Sequence, residues 1–413
     1  MIKAATLYVV IIISLLMAMI SISLLSVAFY YRLGNLKKAR FDKLSSNMES
    51  GLSILLSADY ITYDKDMLID LYEEQQDSVL LNKIKWGAFD LNTIKSFELK
   101  DTLKRSFLSA VTYTDGTAVY LADEDRPLSV SGETRITGDG ELPKSGLKKA
   151  YVDGKPYSGK ELIKGKIKDS ARELPPVDEK RIEELLSYFT ITDNGLPYND
   201  KDSIVNSFFN DRKLYKLKID HEQLSGQKIK GKVVLVSDTT LTLSADLILE
   251  DALVFAPGII VKEGFKGSCQ LFARDSISIG KNCNFLYPSF AGVFKTDTSK
   301  IQSKVALGEN THFSGILMSY EKKRSELQTI ISLAKNCTVT GEVYATGYLK
   351  LESPLSVYGK VYAKTFVMEK GTTLYENFLI DIVVNRKLLS KYYLSSPLFK
   401  REAQNYEVLK WLN

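Results

Sequence analysis

The sequence predicts an α+β chain: an N-terminal transmembrane helix with an amphipathic extension, a small antiparallel sheet, then a mainly-β solenoid (β-helix) interrupted by a helical insertion. Three observations carry this. Residues 4–31 contain no charged side chain. Apolar residues from Leu36 to Leu56 then recur at about every third or fourth position. Gly341-Glu342-Val343-Tyr344-Ala345 returns eighteen residues later as Gly359-Lys360-Val361-Tyr362-Ala363. A chain of 413 residues exceeds one ordinary core, so two or three domains are expected.

The run from Ala4 to Tyr31 is long enough to cross a bilayer core, which takes roughly 20 residues of helix. Tyr8 at one end and Phe29, Tyr30 and Tyr31 at the other are placed like an interfacial aromatic belt. A cleaved signal peptide has a shorter apolar core ending at a small-x-small site, so residues 1–31 read as an uncleaved anchor. Residues 32–60 continue as an amphipathic helix through Leu36, Ala39, Leu44, Met48, Leu52, Leu55 and Leu56. Orientation is contested within the sequence. Arg32, Lys37, Lys38, Arg40 and Lys43 follow the span, and the positive-inside rule would hold that side in the cytoplasm. A membrane helix emerging as an amphipathic stalk fits an exoplasmic domain instead.

Residues 61–127 form a small α+β region. Short runs rich in β-branched and aromatic residues predict a sheet laid on the amphipathic helix, with Asp115-Gly116 as a hairpin turn. Residues 128–170 carry glycines at close intervals, as expected for a first solenoid portion. Residues 171–226 break that texture. Prolines, an acidic first turn and the spacing of Ile182, Leu185 and Leu186 predict one helix, and the stretch 200–209 a second, in an insertion between solenoid portions.

The main solenoid is expected over 227–379. Gly280-Lys281-Asn282, Gly308-Glu309-Asn310 and Ala334-Lys335-Asn336 punctuate strand-like runs at spacings of 28 and 26 residues. One coil cannot bury its apolar face alone, so stacked copies supply the core. Val343 and Ala345 should then stack on Val361 and Ala363, all facing inward, with Gly341 and Gly359 turning the corner before them. Alternate residues point to opposite faces, which sends Lys360 out to solvent. Residues 380–413, mixed and partly helical in pattern, are expected to cap the open end.

Little in the chain points to catalysis. The net charge of +5 is spread along the sequence and makes no nucleic-acid stripe. Cys269, Cys283 and Cys337 sit at no metal spacing and read as buried small hydrophobes. The two histidines, His221 and His312, read as surface or turn residues. There is no phosphate loop, nucleophile elbow or CxxC. Arg274 and Asp275 have no companion cluster of the kind that cleaves carbohydrate. No catalytic residue, cofactor site or metal site is expected, and the chain reads as non-enzymatic. Asp followed by Ser or Thr, then an apolar residue or Thr, marks Ser78, Thr102, Ser170, Ser203, Thr239 and Ser276. This pattern resembles the O-glycosylation sequon of exported Bacteroidota proteins. Ser14, Ala18 and Ser21 lie near one face of the apolar helix and are candidates for helix–helix packing.

The short N-terminus, the apolar helix from Ala4 to Tyr31, its continuation to Ser57 and the following sheet together resemble type IV pilin-like and pseudopilin-like membrane proteins, especially the large minor-pilin (PilX-type) class. The likeness spans about the first 120 residues. The family's processing site is not present: Lys3 and Thr6 stand in the region where it would lie. The solenoid portion is similar to bactofilin-like β-helices. The first resemblance implies a structural or adhesive envelope component, single-pass in an inner membrane, with a periplasmic or extracellular domain. Its partners would be the membrane, other membrane or pilin-like proteins and copies of itself. The second implies a polymerising cytoplasmic scaffold. A surface carbohydrate-active enzyme is the third reading.

Overall fold

The computed structural model describes residues 2–72, 77–113, 115–191, 195–196, 198, 203–218, 223–296, 300–400 and 405–412. The chain divides into two units, Met1–Lys83 with Thr93–Arg105 and Ile84–Asn92 with Ser106–Asn413.

The first unit is organised by one unbroken α-helix, Ile2–Leu56. At 1.5 Å per residue it is roughly 80 Å long. It is the one helix among the described residues that is long and apolar enough to cross a membrane, and its apolar window packs against nothing. Packing starts later than the sequence pattern predicts: Leu36 and Ala39 are exposed, and the buried face is Leu44, Asn47, Met48, Gly51 and Leu55. Gly51 is required by that contact. A Cβ there would lie 2.9 Å from Leu81, 3.1 Å from Val79 and 3.2 Å from Ile94. Arg40 pairs with Asp101 at 2.9 Å, and Lys43 with Asp77 at 3.3 Å.

A five-stranded sheet runs in the order Asp66–Ile69, Ser78–Trp86, Phe89–Glu98, Asp101–Thr112 and Asn405–Leu412. Its middle three strands contribute residues to both units. The turn at Gly87, with φ +62°, splits what reads in sequence as one apolar run. The last strand comes from the chain's end and pairs antiparallel with residues 106–112.

The second unit is a parallel sheet that closes on itself. Its successive circuits are followed along one side. Lys213–Leu217 pairs with Val233–Ser237, and that strand with the middle of Ile248–Val261. Lys266–Ile279, Asn284–Lys295, His312–Glu321, Thr338–Leu351 and Leu355–Lys370 follow. The repeated pentapeptides are in register, Gly341 on Gly359, Val343 on Val361 and Ala345 on Ala363. Leu235, Val254, Leu271, Ala291, Leu317, Val343 and Val361 make one continuous buried column inside. Their outward neighbours Val236, Phe255, Phe272, Met318, Tyr344 and Tyr362 belong to a second apolar layer. The corners stack as well: Asn282, Asn310 and Asn336 take φ near +57° (55°, 56° and 59°), which asparagine tolerates better than most residues. Cys283 and Cys337 follow two of these turns as buried free thiols, each donating to a carbonyl of the preceding circuit, at 3.3 Å to Lys262 and 3.0 Å to Gly308.

Several expectations are corrected. Asp115-Gly116 closes no hairpin, because Thr117–Leu121 leaves for the parallel sheet and pairs with residues 361–363. Residues 128–170 do form strands, but these lie beyond Leu355–Lys370 rather than before Lys228. Asp139–Leu142 pairs with Thr117–Leu121, Arg135–Thr137 with Ile382–Asn385, and Ile167–Asp169 with residues 140–142. The described stretch 171–191 is therefore a strap over the outer apolar layer of the parallel sheet, not an insertion between neighbouring strands of it. Its helix Glu179–Ser187 is present, capped by the Asp178 side chain. The second helix is not: Ile204–Asn206 is a strand of the first circuit, and residues 213–217 and 223–224 are strands too. Residues 380–413 do not cap an end. Ile382–Asn385 joins the parallel sheet, Leu394, Leu398 and Phe399 cover its outer apolar layer, and the final strand completes the antiparallel sheet.

Candidate functional site

Two regions bear on function. The first is the helix surface through residue 39, exposed on every described side. Ser14, Ala18 and Ser21 lie on it at i, i+4 and i+7, so they share a face. The Ser14 hydroxyl donates to the Ile11 carbonyl at 2.9 Å, satisfying itself within its own helix. A small flat strip among leucines and isoleucines is what close helix approach in lipid needs.

The second is the outer face of the parallel sheet, where the sequence missed a buried lysine with an ionic partner. Lys360 does not face solvent; it is 1% exposed. Its ammonium donates to Asp115 and lies 5.2 Å from the centre of the Tyr113 ring, while the Tyr362 hydroxyl reaches the other Asp115 oxygen at 3.3 Å. Glu342, its register partner in the neighbouring circuit, is equally buried. The alternation rule held, since Lys360 does point out of the inner core, but that outer face is itself covered. Opposite charges at one register position of two homologous pentapeptides were the available signal. Nearby, the Tyr287 hydroxyl donates to the Leu394 carbonyl at 2.8 Å and accepts from its amide at 3.0 Å, and burial pushes its pKa up. Arg181 makes a further buried pair with Asp90 and donates to the Phe89 carbonyl at 3.0 Å. The Tyr287 contacts bind the C-terminal segment to the parallel sheet, and the Arg181 contacts bind the helix Glu179–Ser187 to the strand Phe89–Glu98.

The candidate modification positions differ in access. Thr102 and Ser203 are exposed, Ser78, Thr239 and Ser276 are half-buried, and Ser170 is buried. His312 is an exposed residue opening a strand, and His221 lies outside the described residues. Arg274 stacks its guanidinium 5.4 Å from the Phe189 ring. Among the described residues no group of three His, Cys, Asp or Glu could hold a metal ion. Comparison with family models, curated proteins and solved structures finds no match to this chain.

Proposed function

We propose that this chain is a single-pass, membrane-anchored, non-enzymatic component of a bacterial envelope, pilin- or pseudopilin-like in its anchoring, whose closed parallel sheet is a β-solenoid presented on the periplasmic or outer side of the inner membrane. The observation that carries the reading is the single helix Ile2–Leu56, apolar and unpacked over its first half and packed by an amphipathic face over its last turns. A helix apolar all round is stable in lipid and costly in water. The solenoid reading is supported by in-register parallel pairing of consecutive circuits, with glycines or asparagines at matching corners.

The cytoplasmic scaffold is the second reading, favoured by the basic residues after the span. Two of these five have a structural role of their own, since Arg40 and Lys43 pair with Asp101 and Asp77. End-to-end stacking also meets an obstacle. The terminal strands at one end carry Lys148, Lys149 and Lys168, with Lys166 just before the last of them. Lysines on open strand edges oppose edge pairing.

Lateral packing of the anchor is the proposed working contact. The double substitution Ala18→Leu, Ser21→Leu is expected to leave membrane insertion intact while lowering in-membrane crosslinking to partner proteins several-fold. The full chain in detergent should release no sugar from a panel of polysaccharides. Unchanged crosslinking together with glycan cleavage would replace this reading by the enzyme one.

A further inference from the structure

A cleft of about 400 Å³ opens on the outer face of the second unit, between the strap at residues 173–179 and the ends of the strands His312–Glu321 and Thr338–Leu351. The volume suits a small ligand. Leu174, Pro176, Val177 and Tyr320 give it an apolar wall. Around that wall the charges are already matched: Lys322 pairs with Glu179 at 2.9 Å, Lys364 with Glu173 at 3.1 Å and Arg324 with Glu124 at 2.7 Å. A phosphate or carboxylate would have to compete with these pairs.

Glu321 is the group left over. It is 8% exposed, its amide donates to the Thr346 hydroxyl at 2.9 Å, and its Oε2 accepts from the Ser325 hydroxyl at 2.9 Å. Its Oε1 is buried and makes no hydrogen bond of ordinary length and angle among the described residues. A buried carboxyl oxygen left so costs free energy that a ligand hydroxyl would recover. Burial pushes this carboxyl above the usual range, opposed by Ser325, Lys295, the Thr329 amide and Arg324. A carboxyl shifted that way is a poor receptor for an ammonium ion, and when protonated it can donate to a hydroxyl as well as accept from one.

We propose that this cleft binds an uncharged, hydroxyl-rich ligand of sugar size, with a pyranose face on the apolar wall at Tyr320 and a hydroxyl on Glu321. The site lies within one unit and goes beyond the structural role proposed above, resting on that role only for exposure to glycans outside the cytoplasm. It supplies what an adhesive component would recognise.

The test is saturation-transfer NMR on the full chain in detergent micelles, with cellotriose, mannotriose and triacetylchitotriose as probes. At least one is expected to bind, with affinity falling tenfold or more in Glu321→Ala and in Tyr320→Ala and unchanged in Glu309→Gln. The half-buried Tyr320 keeps the test decisive if Glu321→Ala misfolds. Absence of binding by all three sugars, equal binding in Tyr320→Ala, or binding of inorganic phosphate or propylammonium in their place overturns the proposal. Cleavage of a bound probe would keep the site and overturn the non-enzymatic reading, so the two fail separately.

Discussion

Val361→Asp and Lys360→Asp, one residue apart and on opposite faces of one strand, are both expected to destabilise the second unit severely. Val361 is 2% exposed in the inner column between Val343 and Val119. A carboxylate there has no partner and should cost on the order of 4 kcal/mol or more. Lys360→Asp acts by another route. It puts a carboxylate at a position 1% exposed, beside Glu342 and the partly exposed Asp115, and a buried charge without a partner costs on the order of several kcal/mol. Lys350→Asp on the neighbouring strand removes a partly exposed pair with Glu369 and should cost no more than about 1 kcal/mol. Thermal melting of the full chain in detergent, followed by far-UV circular dichroism, ranks the three. A silent Lys360→Asp would mean that the outer face is open to solvent.

That contrast shows what sequence could and could not disclose. The inner column was legible because Val, Ala and Gly recur at fixed offsets, and a periodic pattern reports one buried face. The outer layer was not, because its cover comes from far along the chain. The strap at 171–191 and residues 386–400 lie on it, and neither shares a period with what it covers. The same reasoning explains the misplaced strands. Residues 128–170 have the correct local texture, but nothing in a strand of three or four residues names its parallel neighbour, and Arg135–Thr137 pairs with Ile382–Asn385 across most of the chain. The N-terminal helix was legible throughout its apolar part, since absence of charge is a local property. Where it begins to pack was not, because Leu36 and Leu44 look alike until a sheet lies against only one of them. The cleft at Glu321 left no motif, since its groups come from separated segments at 173–179, 320–325 and 344–364.

Gly359→Ala, the removal of no contact at all, is expected to rival the charge substitutions. Gly315, Gly341 and Gly359 form a corner column with φ of +146°, +142° and +156°. A Cβ on Gly359 would sit 1.8 Å from the Gly341 carbonyl oxygen, and one on Gly341 2.0 Å from that of Gly315. The obstructing atoms are backbone, so relief requires the circuits to separate at that corner, losing ladder hydrogen bonds on both sides. The strained backbone adds about 1–3 kcal/mol, and the total should exceed 3 kcal/mol in order-of-magnitude terms. Gly371→Ala, at φ +59° with nothing within 4 Å of the added carbon, meets the backbone preference without the collision and should lose about 1 kcal/mol. Comparable melting of the two variants would mean that the circuits at 341 and 359 are not stacked as described.

Membrane topology tests the central claim most directly. Alkaline phosphatase fused after Asn413 should be active in the native host, and green fluorescent protein at the same position dark, if the parallel-sheet unit lies outside the cytoplasm. A fluorescent fusion with an inactive phosphatase would contradict the envelope reading and leave the cytoplasm-facing scaffold in its place.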